Sequence, residues 1–199
     1  NFEHVLPVQS KGRANVNDLL AVIIGNGTNY GLYGMANISD RAYDQLKGIQ
    51  ANYLRPETLN NANDVINNSV ARLAIFKHYN IQEDLIHASA DGQKFESRLE
   101  TFKTRYSSKY FGTNKGVSAI TLIANHAALN AKVIGSNEHE SHYIFDLLQS
   151  NTSEIQPDVL STDTHGVNHV NFALLDLFGY TFAPRYAQFG KVIEEMFKV

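Results

Sequence analysis

The amino-acid sequence predicts an α/β protein in two parts. An all-helical segment covers residues 1–80, and a mixed sheet flanked by helices covers residues 81–199. In the first part apolar residues recur at helical spacing, as Val16, Leu19, Leu20, Ile23 and Ile24 do. Beyond residue 81 short strand-like runs take over: DLIHASA, GVSAITLIANHA, LNAKVIG, DVLSTD and YTFAPR. Helical stretches separate the later runs, the pattern of crossover connections in a sheet.

The elements follow in order. VNDLLAVII makes a helix with one apolar face, and GNGTNYGLYG, with four glycines, interrupts it. ISDRAYDQLKGIQANYL predicts a second helix, with Ser39 as N-cap and Ala42, Leu46, Ile49 and Tyr53 along one side. Pro56 suits the first turn of a third, which runs to Asn80 and stacks Ile66, Val70, Leu73 and then Ala74 or Lys77. Its many asparagines are poor helix formers, so packing must help to hold it. DLIHASA is a short strand, followed by the basic, tyrosine-rich FKTRYSSKYFGTNKG. GVSAITLIANHA and LNAKVIG are two strands joined by a tight connection. HESHYIFDLLQS is a helix with Tyr143, Ile144, Leu147 and Leu148 inward; DVLSTD is a strand; VNHVNFALLDLFG is a helix that Gly179 ends. YTFAPR is a last strand, closed by Pro184. Three strands, helix, strand, helix, strand describes a ribonuclease-H-like fold. The domain boundary is expected near Asn80.

With 43% hydrophobic and 19% charged residues among 199, the chain can bury a core. The absence of cysteine excludes disulfides, thiolate zinc sites and cysteine nucleophiles. No apolar run approaches the length of a membrane span, and the first residues do not read as a signal peptide. A net charge of −3 is low for a nucleic-acid enzyme. Basic residues are concentrated locally, where Lys94, Arg98, Lys103, Arg105, Lys109 and Lys115 face Glu96 and Glu100. The chain starts at Asn1 rather than Met and reads as an excerpt of a longer protein.

Chemistry points to Asp91, in HASADGQKF, and Asp163, in VLSTDTHG. Each is expected where a buried strand runs out, with a glycine close behind. An acid before glycine can simply make a turn. Two carboxylates at the ends of neighbouring strands can instead converge, and converging carboxylates repel unless a divalent cation lies between them. A hard cation with oxygen ligands is what phosphoryl-transfer enzymes use to polarise a phosphodiester. The first expectation is a metal-dependent enzyme acting on a polynucleotide.

Six phrases, in order over roughly residues 16–190, then carry a resemblance: LLAVIIGNGTNYGLYGMA, YDQL, SADGQKF, RYSSKYFG followed by KGVSAITLIAN, STDTHG and FALLDLFGYTFAPR. The chain resembles the catalytic region of the Tn3 family of bacterial replicative transposases. The resemblance implies a DDE mechanism, in which two aspartates and a glutamate on a ribonuclease-H-like core hold two Mg²⁺ (or Mn²⁺) ions. It carries over Asp91 and Asp163 as the first two acids and metal ligands. The family's glutamate lies far downstream of the PR-containing strand, so the C-terminal part of the catalytic fold, third acid included, is expected to be missing and the fragment inactive alone. The implied partners are transposon-end inverted-repeat DNA and target DNA. The implied whole protein is a homodimer without a membrane anchor, in the bacterial cytoplasm at the nucleoid.

Other residues are weighed beside these. Glu194 and Glu195, in KVIEEMF, offer a third acid to a compact ribonuclease-H-like nuclease, or are a solvated helix face. A non-catalytic DNA-end-binding remnant is a further alternative. His165, Arg185 and Gln93 are candidates for supporting the site, His165 equally for stabilising a turn. Arg105, Lys109, Lys115 and Tyr110, with Tyr106 and Phe111, are candidates for tracking DNA, since cations neutralise phosphate and aromatics stack on bases. His139 and His142 lack the HExxH spacing of a zinc protease, and the glycines of GNGTNYGLYG lack the lysine of a phosphate loop.

Overall fold

A computed structural model describes residues 2–8, 10, 12–82 and 84–198, the side chains of His165 and Met196 excepted. The chain forms two compact units, Asn1–Asn63 and Asp64–Val199.

In the first unit, α1 (Val16–Gly27) starts at Asn15, whose side chain accepts from the amides of Asn17 and Asp18. α2 (Gly31–Ile38), α3 (Tyr43–Tyr53) and the start of α4 (Pro56–Ala71) follow. Val22 and Leu46 are fully buried against Ala21 and Met35. Two expectations fail here. The glycine-rich run does not interrupt the helices for long: α1 continues through Gly25 and Gly27, and α2 begins at Gly31. Ser39 is not an N-cap. It ends α2, its hydroxyl donating to the Met35 carbonyl at 2.6 Å, and α3 starts after Ala42. The second half of α4, grouped with the helical segment by its sequence, belongs with the sheet unit.

In the second unit Val70, Ala71 and Phe76 pack on the sheet core. The helix expected to run to Asn80 stops at Ala71; extended backbone at Leu73 leads into a 3₁₀ helix over Ala74–Tyr79. Packing holds the asparagine-rich α4, as expected: Asn67 donates to the Ala128 carbonyl at 2.8 Å.

The strands are β1 (His87–Glu96), β2 (Arg105–Tyr106), β3 (Lys115–Ala124), β4 (Ala127–Gly135), β5 (Val159–Thr162) and β6 (Thr181–Phe182). α5 (Ser108–Phe111) lies between β2 and β3, α6 (Ile144–Gln149) and α7 (His169–Leu177) flank β5, and α8 (Phe189–Met196) follows β6. β1 runs antiparallel to β3, and β3 antiparallel to β4 through a turn in which Asn125 and His126 both have positive φ, 45° and 66°. β5 then joins β1 in parallel and β6 joins β5 in parallel. This is the ribonuclease-H-like order expected from the sequence, with the two-residue β2 added beside β3.

One sheet face makes the core. Ala88 and Ala90, Ile120 and Leu122, and Leu160 alternate inward and meet Ile144, Leu147 and Leu148 of α6 and Leu175 of α7. Full burial of Leu122, Leu147, Leu160 and Leu175 contributes roughly 1.5–3 kcal/mol each. The other face of β1 carries Ser89, Asp91 and Gln93, all exposed. No helix among the described residues is long and apolar enough to cross a membrane.

Candidate active site

Asp91 is not at the end of its strand. β1 continues to Glu96, with Asp91 opposite Thr121 of β3. What ends there is the pairing with β5, whose last parallel pair is Ala90 with Thr162. The next residue on each strand is an acid. Ala90 and Thr162 face the core and are buried, so Asp91 and Asp163 emerge on the opposite side. Neighbouring strands lie about 4.8 Å apart, and both acids line one cavity of about 550 Å³.

Local bonds orient both carboxylates. Asp91 Oδ1 accepts from the Gly92 amide at 2.8 Å, and Asp163 Oδ1 from the Gly166 amide at 3.2 Å. Gly92 is needed for another reason as well: a Cβ there would overlap the Glu140 carboxylate, which accepts from the fully buried Ser118 hydroxyl at 2.9 Å. Arg185 lines the same cavity. Its amide donates to the Thr162 carbonyl at 2.8 Å, and its carbonyl accepts from the Thr164 hydroxyl at 3.0 Å. Ser161 and Thr164 complete a lining rich in oxygen. Two carboxylates and hydroxyls, with no soft donor, form a donor set that suits a hard divalent cation.

The other sequence candidates separate. Gln93 shares with Asp91 a shallow hollow of about 190 Å³ on the exposed face. The side chain of His165 lies outside the described residues. Glu194 and Glu195 are exposed on α8 and do not line the cavity of the two aspartates. Among the described residues no cluster of three or more His, Cys, Asp or Glu side chains forms. His139 and His142 stand with ring centroids 5.6 Å apart.

Arg105, Lys109, Lys115 and Tyr110 lie on or beside the insert between β1 and β3, and none lines the aspartate cavity. Lys115 forms an ion pair with Glu100 at 2.6 Å. The hydrogen bond that Lys115 donates to Glu100 raises the lysine pKa against a smaller desolvation effect. The Tyr110 ring has the ammonium groups of Lys94 and Lys109 at 4.9 and 5.1 Å.

Sequence reasoning missed a chain of hydrogen bonds on the aspartate face. His87 Nε2 lies 2.5 Å from Ser161 Oγ, and that hydroxyl donates to the Ala183 carbonyl at 2.8 Å. A hydroxyl has one proton, so with it on Ala183 the imidazole is the donor. The chain ties β1 and β5 to the segment after β6, which carries Arg185. Burial lowers the His87 pKa and favours its neutral form. The signal was present: His87 precedes Asp91 by four residues and Ser161 precedes Asp163 by two, same-face spacings in strands.

A family model described as Tn3 transposase DDE domain matches residues 1–199. The chain is 28% identical over 199 residues to the transposase for transposon gamma-delta of Escherichia coli (strain K12), an alignment covering 96% of this chain and 20% of that protein. It is 34% identical over 171 residues to the transposase for transposon Tn2501 of Escherichia coli, covering 84% and 17%. It is 30% identical over 175 residues to the transposase for transposon Tn501 of Pseudomonas aeruginosa, covering 87% and 17%. The chain thus spans about a fifth of the length of these relatives. Among solved structures, the piggyBac transposase synaptic complex with hairpin DNA is similar at a TM-score of 0.44 and 12% identity, over 89% of this chain and 44% of that one.

Proposed function

Because this chain belongs to the Tn3 transposase DDE domain family, we propose that it is the catalytic core of a DNA transposase, with Asp91 and Asp163 as two of its catalytic acids. The observation that carries the reading is the parallel register of Ala90 with Thr162, which sets the acids of SADGQ and STDTHG side by side at one cavity. The reaction is cleavage of transposon ends and strand transfer to target DNA. Asp91 and Asp163 would hold the divalent cations, Mg²⁺ or Mn²⁺, two in the complete enzyme. When bound, such cations lower the pKa of the attacking oxygen and stabilise the leaving oxygen.

The protein residues supply position. Asp91 sits mid-strand, paired with Thr121 of β3, and directly follows the last pair with β5, Ala90 with Thr162. The Gly92 and Gly166 amides hold one oxygen of each carboxylate. Arg185 is anchored through its main chain and offers a guanidinium to a phosphodiester oxygen. Ser161 is committed to Ala183 and His87, so it serves as a strut rather than a nucleophile. Gln93, in the hollow it shares with Asp91, helps to shape the rim. Arg105, Lys109, Lys115 and Tyr110 supply DNA contacts away from the acids; Lys115 does so less than its charge suggests, because Glu100 holds it. The partners are inverted-repeat ends and target DNA, met by a homodimer of the whole protein at the bacterial nucleoid.

The test is alanine at Asp91 or Asp163 in the complete transposase that contains this chain. Cleavage of end DNA should be abolished while end binding is kept. Loss of both together would assign the acids to folding and end the proposal.

A further inference from the structure

The insert between β1 and β3 turns sharply at residues 101–104. Thr104 is buried, 6% exposed. Its amide donates to the Thr101 carbonyl at 3.2 Å, and its hydroxyl donates to that carbonyl at 2.9 Å and accepts from the Thr101 amide at 3.0 Å. These bonds fix Phe102 and Lys103 at the two central positions of a tight turn. A further bond, from the Ser136 hydroxyl to the Arg105 carbonyl at 2.8 Å, pins the end of the turn to the segment after β4.

Phe102 is 90% exposed on this rigid support. Unlike Tyr110, its ring has no cation or aromatic against it among the described residues. Behind it lies a hollow of about 300 Å³ along the unpaired edge of β4, lined by Phe102, Lys103, Arg105, Lys132, Glu138 and Tyr143. Lys103 Nζ donates to the Val133 carbonyl at 2.6 Å. Arg105 Nη1 donates to the carbonyls of Phe102 and Thr104 at 2.8 and 2.9 Å. Both cations are held by carbonyls and keep their full charge, while each also attracts the Glu138 carboxylate. The Glu138 carboxylate is tied to the Tyr143 hydroxyl and the Gly135 amide, and Lys132 is paired with Asp146. The hollow stays net positive beside an open aromatic face.

We propose that this hollow seats one unpaired nucleotide of a DNA strand, its base on Phe102 and its flanking phosphates on Lys103 and Arg105. Stacking needs a free base face, which a paired duplex does not offer. The proposal rests on the reading of the chain as a DNA-transposing domain, and its test is independent of the aspartates.

The 199-residue chain is titrated in EDTA against a fluorescent single-stranded oligonucleotide carrying 2-aminopurine, and against the duplex of the same sequence. The single strand should bind more tightly and its fluorescence should be quenched. Phe102→Ala should weaken single-strand binding about tenfold and remove the quenching, with duplex binding and circular dichroism unchanged. Phe102→Tyr should bind as the wild type does. Lys103→Gln should lower the salt dependence by about one phosphate contact. Wild-type affinity and quenching in Phe102→Ala would overturn the seat, as would equal binding of both forms by the wild type. Either result, with cleavage by the complete transposase still dependent on Asp91, would leave the catalytic reading standing.

Discussion

Asp91→Asn should make the metal-free protein more stable, although it removes one of the two proposed catalytic acids. The two carboxylates stand on adjacent parallel strands and line one cavity. If the strand spacing of about 5 Å sets their separation, two unit charges repel by about 0.8 kcal/mol in water and about 3 kcal/mol at an effective dielectric of about 20. Both side chains are exposed, which favours the lower figure, and the Arg185 charge offsets part of it. The neutral amide keeps an oxygen for the Gly92 amide, so the local hydrogen bond survives. The expected gain is about 0.5–1 kcal/mol, or about 1–4 °C in Tm for a chain of this size. Mn²⁺ at ten times its Kd should stabilise the wild type by about 1.4 kcal/mol and Asp91→Asn much less. The chain has no tryptophan, so melting is followed by circular dichroism at 222 nm, with and without the metal. A metal-free Asp91→Asn that melts below the wild type, together with an undiminished Mn²⁺ shift, would refute a shared cation site.

Two further outcomes follow from single contacts. Gly92→Ala should destabilise by about 1–3 kcal/mol, because its methyl displaces Glu140 and leaves the buried Ser118 hydroxyl unpaired; Gly48→Ala, inside α3 with open space around it, should instead stabilise by about 0.4–1 kcal/mol, and urea unfolding of the pair measures the contrast. His87 has a lowered folded pKa, so the unfolded chain binds the extra proton first; its contribution is complete above pH about 6.5 and is lost as pH falls through the folded value. Melting from pH 7.5 down to 5 should therefore fall less steeply in His87→Gln than in the wild type, and equal slopes would remove His87 as the cause.

Local signals carried much of this fold. β3 and β4 announce themselves by β-branched alternation around Asn125 and His126, and the core leucines of α6 and α7 by helical spacing. What failed depended on partners distant in sequence. Gly92 looks like a strand terminator, yet β1 runs on past it and the glycine makes room for Glu140, 48 residues away. Ser39 has the right chemistry for a helix start, but its hydroxyl reaches back to Met35 and ends the preceding helix. α4 stops at Ala71, short of the expected Asn80, and Phe76 enters the sheet core from a 3₁₀ turn. β2, two residues long, is too short to show any period.

The same division runs through the candidate site. Asp91 and Asp163 were legible because each sits in a distinctive local string, but their pairing is a property of register. A shift of one residue between β1 and β5 would send one of the acids into the core face. That register is defended from both sides. Ala88 and Leu160, opposite each other and fully buried, tolerate no exchange for a charge. On the outer face His87, Ser161 and Ala183 form a hydrogen-bonded chain across the strands that a slip would break. Ser161→Ala should then loosen the arrangement of the two acids while leaving both carboxylates in place. Metal affinity should fall while metal-free Tm changes little, whereas a purely structural serine would move Tm and leave metal affinity alone.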